Sequence, residues 1–175
     1  FPWDYTQGIG IAFLRDHGIP SISRLLQRTG QFDHDGVKRY DDTLLFAEEA
    51  MVEGIESERS HAALRRLNRI HGHDDIPNDE YLYVLATTIV GPVRWISEFG
   101  WRRLHPHETA SLTKVTTRFG ELMGLQGLPT TYDGYERLLL SSTASYNYNY
   151  TDVKYGAPGA YRVEVDGGEV RETLL

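Results

Sequence analysis

The spacing of hydrophobic positions predicts a chain of amphipathic helices. Between Pro20 and Gly30, residues Ile22, Leu25 and Leu26 share one face of a short helix over 21–29, and the flanking proline and glycine mark its ends. QFDHDG then reads as a loop. From Val37 to Glu53, Thr43, Phe46, Ala47 and Ala50 recur at i, i+3, i+4 and i+7, which predicts a second helix with that stripe turned inward. Ser57 is placed to cap a third, in which Leu64, Leu67 and His71 fall at i, i+3 and i+7 with Ile70 beside them, and Arg59, Arg65, Arg66 and Arg69 take the outer side.

The most apolar stretch is YLYVLATTIVGPVRWISEFGWRRL. Asn78 is the candidate N-cap, and Gly91-Pro92 is expected to kink or break the helix near its middle. Pro106 suits the first turn of another helix, with Leu112, Val115, Phe119 and Leu122 as its stripe. Gly124 to Pro129 is a break, and Tyr132 to Leu140 a last short helix. The first 18 residues mix aromatics with three glycines and carry only a weak helical signal. After residue 141 the pattern changes: SYNYNYTDVKY alternates with period two, and Asp-Gly-Gly within AYRVEVDGGEVRETLL is a hairpin-turn signal. The expectation is an all-α body over 1–140 and an extended or β-hairpin tail over 141–175.

Composition narrows the function classes. At 175 residues the chain is of single-domain size. Its 18 basic and 25 acidic residues give a net charge of −7, which argues against a non-specific nucleic-acid binder. No cysteine is present, so disulfides, thiolate-bound zinc and iron–sulfur clusters are excluded, and any metal or cofactor must use histidine, carboxylates or backbone. No apolar run approaches the roughly 20 residues of a spanning helix.

Candidate chemistry concentrates between Arg39 and His73. Arg39 lies one turn before Thr43, in line with a stripe expected to be buried, where an arginine asks for an anion. His71 closes the next helix where another apolar residue would be expected. A partly buried histidine donating to a backbone carbonyl fits that pattern. So does an axial haem ligand: a neutral imidazole projecting into an apolar slot, with Arg39 as a fixed cation for a propionate and Thr43 offering a hydroxyl. His71-Gly-His73-Asp74 also suggests the histidine–aspartate pair of a metal-dependent phosphohydrolase, with His61 and Asp133 as further ligands. His105-Pro-His107 falls in an exposed first turn and reads as a helix start.

The motifs KRYDDT and LNRIHGH, taken in order with GIPSISRLLQRTGQF, IPNDEYLYVLATTIVGPVRW and GLQGLPTTYDGYERLL, resemble the haem-dependent rubber oxygenase (latex-clearing protein) family. The likeness is greatest to its fungal branch of side-chain oxygenases in mycophenolic acid biosynthesis. It covers about residues 8–140. The resemblance implies an all-α, globin-like haem b protein that uses dioxygen to cleave a carbon–carbon double bond of an isoprenoid. It makes His71 the proximal iron ligand and sets Arg39 and Thr43 beside the haem. Phe46, Leu85, Ile89, Trp95 and Phe119 are candidates for the lining of a prenyl-chain groove. Asp42 stands where rubber oxygenases can carry a lysine. Members of the family are longer, with further helices after the matched region, so the chain is expected to be a shortened relative. Fungal members are held at the endoplasmic reticulum membrane by an N-terminal segment.

Overall fold

The computed structural model describes the backbone of residues 2–152, 161–166 and 169–174, and the side-chain surroundings of residues 3–49 and 52–142. The fold is all-α, as the pattern predicts. In chain order the helices are α1 (Pro2–His17), α2 (Pro20–Thr29), α3 (Gln31–Met51), α4 (Glu58–His71), α5 (Asn78–Phe99), α6 (Pro106–Leu122) and α7 (Tyr132–Asp152).

Helix α5 is the hub because it is apolar nearly all round. Leu82, Tyr83, Leu85, Ala86, Ile89, Val90 and Ile96 are buried on it, and α7 closes over them with Tyr135 and Leu139. Ile19 and Ile22, flanking the start of α2, join the same core. Helix α1 runs antiparallel to α5: Gly8 lies beside Pro92, and Asp16 meets Thr87. The approach at Gly8 is close enough that a Cβ there would fall 2.4 Å from the Pro92 Cα. The weak signal over the first 18 residues is thus a full helix, with glycine permitting contact that a side chain would block.

Four expectations are corrected. Of the kink or break expected at Gly91-Pro92, the break does not occur; the helix continues to Phe99. Proline forfeits one backbone bond, but α1 packs against this turn and stabilises it. Asn78 is the first helical residue and Pro77 the N-cap, because the Asn78 amide is spent on the backbone of Gln126, donating at 3.0 Å and accepting at 2.9 Å. The QFDHDG loop is helical, with a single break at Asp35 (φ −143°, ψ 49°). The last helix passes Leu140 to reach Asp152. Period-two alternation also puts Tyr146 and Tyr150 one helical turn apart, so that pattern alone does not separate helix from strand.

Other start and stop signals hold. Gly30 takes φ 66° at the end of α2. Ser57 caps α4, its side chain accepting from the Ser60 N–H at 3.1 Å. His105 and Glu108 form a capping box with Pro106 in the first turn of α6. In the tail, β1 (Tyr161–Asp166) pairs antiparallel with β2 (Glu169–Leu174). The turn at residues 167–168, on which the hairpin signal falls, lies outside the described residues.

Candidate functional site

Helices α3 and α4 lie side by side away from the thickest part of the core. Leu64 is the buried anchor of α4, and the Asn68 amide donates to the Leu122 carbonyl at 2.9 Å, tying α4 to the end of α6. The short connection after His71 returns the chain to α5, so that the first turn of α5 meets the last turn of α4. There the Tyr81 ring packs against His71 at 5.4 Å between centroids.

His71 is half-buried, and its Nδ1 is shielded from solvent with no hydrogen-bond partner. The arrangement in which that nitrogen donates to a backbone carbonyl is therefore not the one present. Burial pushes the His71 pKa below its ordinary 6.5, the Arg39 guanidinium pushes the same way, and Asp74 opposes them. The end of a helix normally favours a protonated imidazole by some 0.3–1 kcal/mol. Here desolvation and the arginine outweigh it, so the ring is neutral at physiological pH. Asp74 is a weakened opponent because it is paired with Arg28 at 2.9 Å. Burial also raises the Tyr81 pKa, with the Asp74 charge adding to it.

Arg39 and Thr43 are locked together one turn apart on α3. The Arg39 Nη1 donates to the Thr43 hydroxyl, which donates in turn to the Arg39 carbonyl at 3.1 Å. The guanidinium also lies over the Phe32 ring, 5.8 Å from its centroid. Thr43 thus holds Arg39 in place, and the Arg39 charge adds to burial in disfavouring the protonated form of His71.

The sequence pattern indicated Arg39, Thr43 and His71, but not the rest of their surroundings. Tyr81, Phe32 and the Arg28–Asp74 pair come from three other segments and share no periodicity with the first three. Only the short connection between α4 and α5 hinted that the first turn of α5 would come near.

Other readings fare less well. Leu85 and Ile89 are core residues and Phe119 packs against that core, while Trp95 packs against Phe99 near the far end of α5. Phe46 lies under the Arg66 guanidinium, so the five residues suggested for a prenyl groove do not line one surface. Among the described residues no three His, Asp or Glu side chains converge to hold a metal ion. His73 is exposed, Asp74 is taken by Arg28, and His61 faces Glu56 at 3.6 Å, so the phosphohydrolase arrangement is not formed. His105 and His107 stack at 5.0 Å in the exposed start of α6.

The stripe of α3 is also less buried than expected. None of its described residues is fully buried, and Val37, Tyr40 and Leu45 are exposed. An open depression of about 540 Å³ at the Asp35 break is lined by His34, Asp35, Gly36, Val37, Lys38 and Asp41. It does not include His71.

What fold and site define is an all-α protein carrying a neutral, partly buried imidazole with an unpartnered nitrogen and a fixed cation nearby. The chain matches no family model and no solved structure. It is 30% identical over 174 residues to the ER-bound oxygenase mpaB of Penicillium roqueforti (strain FM164), covering 94% of this chain and 58% of that protein. It is 31% identical over 144 residues to the ER-bound oxygenase mpaB of Penicillium brevicompactum, covering 78% of this chain and 37% of that protein. The chain is a homologue of these mpaB-like fungal proteins. It spans a little over half the length of the first and about a third of the second.

Proposed function

We propose that this chain is part of a haem b-dependent oxygenase that uses dioxygen to cleave a carbon–carbon double bond in an isoprenoid or similarly apolar substrate, in a protein associated with the endoplasmic reticulum membrane. One observation carries the reading: the His71 imidazole is held neutral, with its buried Nδ1 unpartnered, in reach of the Arg39 charge. Neutral imidazole is the form that ligates iron, and with no cysteine in the chain it is the natural protein donor. The oxygenase names of the homologues support the same class.

The donor chemistry fits haem. His71 would hold the iron, Arg39 would face a propionate as a permanent counter-charge, and Thr43 would fix the direction of Arg39. Bound there, haem would supply the dioxygen chemistry that no side chain of this composition can perform alone. Adding both atoms of one dioxygen across an alkene gives two carbonyl products and needs no outside reductant, so the atoms balance without a further partner. The contribution of the chain is to orient and to exclude water. Tyr81 packs the inner side of His71, and the Phe32 ring shields Arg39.

The test is product analysis. The haem-loaded full-length protein is incubated with a farnesylated aromatic acid under ¹⁸O₂, and the products are examined for carbonyl fragments. Labelled carbonyls that disappear in His71→Ala are expected. Intact substrate with a fully loaded wild-type protein would overturn the reading.

A further inference from the structure

All three tryptophans of the chain lie at one end of the molecule, the end opposite His71. Because α1 and α5 are antiparallel, with Gly8 at Pro92 and Asp16 at Thr87, Trp3 falls at the same end as Trp95, Phe99 and Trp101. Trp3 is 66% exposed, Phe99 63% and Trp101 79%. The same end carries an open depression of about 580 Å³, lined by Tyr5, Ile96, Leu104 and Leu112 with His107, Glu108 and Ser111.

Trp101 stands on a connection that is firmly held. The Arg102 guanidinium lies 5.3 Å from its ring centroid and binds Glu108 at 2.7 and 2.9 Å, and the Glu108 carboxylate also accepts from the His105 N–H at 2.6 Å. These bonds hold the Glu108 pKa down at about 2, so the arrangement persists throughout the physiological range. Trp95 packs against Phe99 at 4.5 Å between ring centroids, and its indole N–H is shielded from water with no acceptor. A buried indole N–H usually finds one.

We infer that this aromatic end is a membrane-docking surface that seats in the interfacial layer of a zwitterionic bilayer. Tryptophan and arginine are the side chains that suit that layer, with apolar bodies among the upper acyl chains and polar tips among headgroups. Charge chooses the lipid. Arg102 and Arg103 at this end are offset by Asp4, Glu98 and Glu108, and the chain as a whole carries −7, so an anionic surface offers no gain. Among the described residues no helix is long and apolar enough to cross a membrane, so contact of these residues with a bilayer would be by insertion of side chains. The inference rests on the membrane association proposed above and names the surface that makes it; haem loading is independent of both.

The experiment is partition of the 175-residue chain onto phosphatidylcholine vesicles, followed by cosedimentation, by tryptophan emission and by quenching with brominated acyl chains. Binding with a blue shift and bromine quenching is expected, unchanged when salt is raised. Phe99→Ser with Trp101→Ser should weaken partition by at least on the order of tenfold, the loss of two inserted aromatics. Val37→Ser with Leu45→Ser on α3 should leave it intact. All four side chains are exposed, and circular dichroism checks that the variants fold. Partition unaffected by the aromatic pair would overturn this surface while leaving membrane association standing. No partition by the wild-type chain would likewise overturn this surface, leaving membrane association of the full-length protein to other segments. Partition only onto anionic vesicles, abolished by salt, or a vesicle-independent dimer that the aromatic variant dissociates, would equally refute the inference.

Discussion

Asp16 offers the sharpest test of the packing. It is 7% exposed between α1 and α5, and burial drives its carboxyl pKa from 3.8 up to about 7, against the pull of Thr87 and Arg15. Hydrogen bonding agrees with a neutral acid. The Thr87 hydroxyl has one proton, yet it lies 3.0 and 3.3 Å from the two Asp16 oxygens and 2.7 Å from the Val84 carbonyl. A protonated Asp16 can donate to Thr87, leaving the Thr87 proton for Val84; an ionised one makes the two acceptors compete.

The sign follows from linkage. The folded-state pKa is raised, so the stability tied to protonation is complete below 3.8 and is lost as pH rises through the folded value near 7. At 1.36 kcal/mol per pKa unit, ionising this carboxyl costs on the order of 4 kcal/mol at pH 8, a large part of the stability of an ordinary domain. Asp16→Asn keeps a donor for Thr87 and removes the charge. Urea denaturation from pH 4 to pH 8 should show the wild type losing stability across this window. The variant should stay level, matching the wild type near pH 4 and exceeding it by up to about 4 kcal/mol at pH 8. A flat wild-type profile, or a variant less stable than the wild type at pH 8, would refute the burial argument.

Four further predictions concern the site and its supports. Arg39→Leu should raise the His71 pKa by NMR titration while leaving it below 6.5, since burial, the larger cause, remains; no movement would mean the guanidinium does not act on the ring. Because the folded value is lowered, the stability linked to His71 is complete above pH 6.5 and declines as pH falls toward the folded pKa, a dependence that His71→Leu should abolish in acid denaturation. Gly8→Ala places a methyl against the Pro92 backbone and should cost about 1–3 kcal/mol in thermal unfolding, despite the better helix propensity of alanine. Leu64→Ala should cost about 2–5 kcal/mol and loosen α4 selectively in hydrogen exchange, because Leu64 is the buried apolar anchor of that helix.

How much of this was legible in the sequence depends on the kind of signal. Caps and apolar stripes are local, so Pro20 and Gly30, Ser57 and Pro106 placed their helix ends correctly. The all-α class followed from the same period. Signals that tertiary contact overrides were misread. Gly91-Pro92 looks like a break until α1 is packed on it, and Asn78 looks like a cap until its amide finds Gln126. The α3 stripe has the right period, but nothing in its spacing tells whether another surface covers it. For the site, one-turn spacing correctly joined Arg39 to Thr43, and the apolar context of His71 predicted its partial burial. Tyr81, Phe32 and Arg28 enter only through the meeting of separate helices, which no pattern within a single segment records.

The central claim is that His71 is an iron ligand, and haem titration tests it most directly. Titrating haem b into the chain and following the absorption spectrum should give a saturable Soret band at one haem per chain. His71→Ala should lose that band while keeping the helical circular dichroism of the wild type. A spectrum of free haem only, or a Soret band that survives in His71→Ala, would contradict the account.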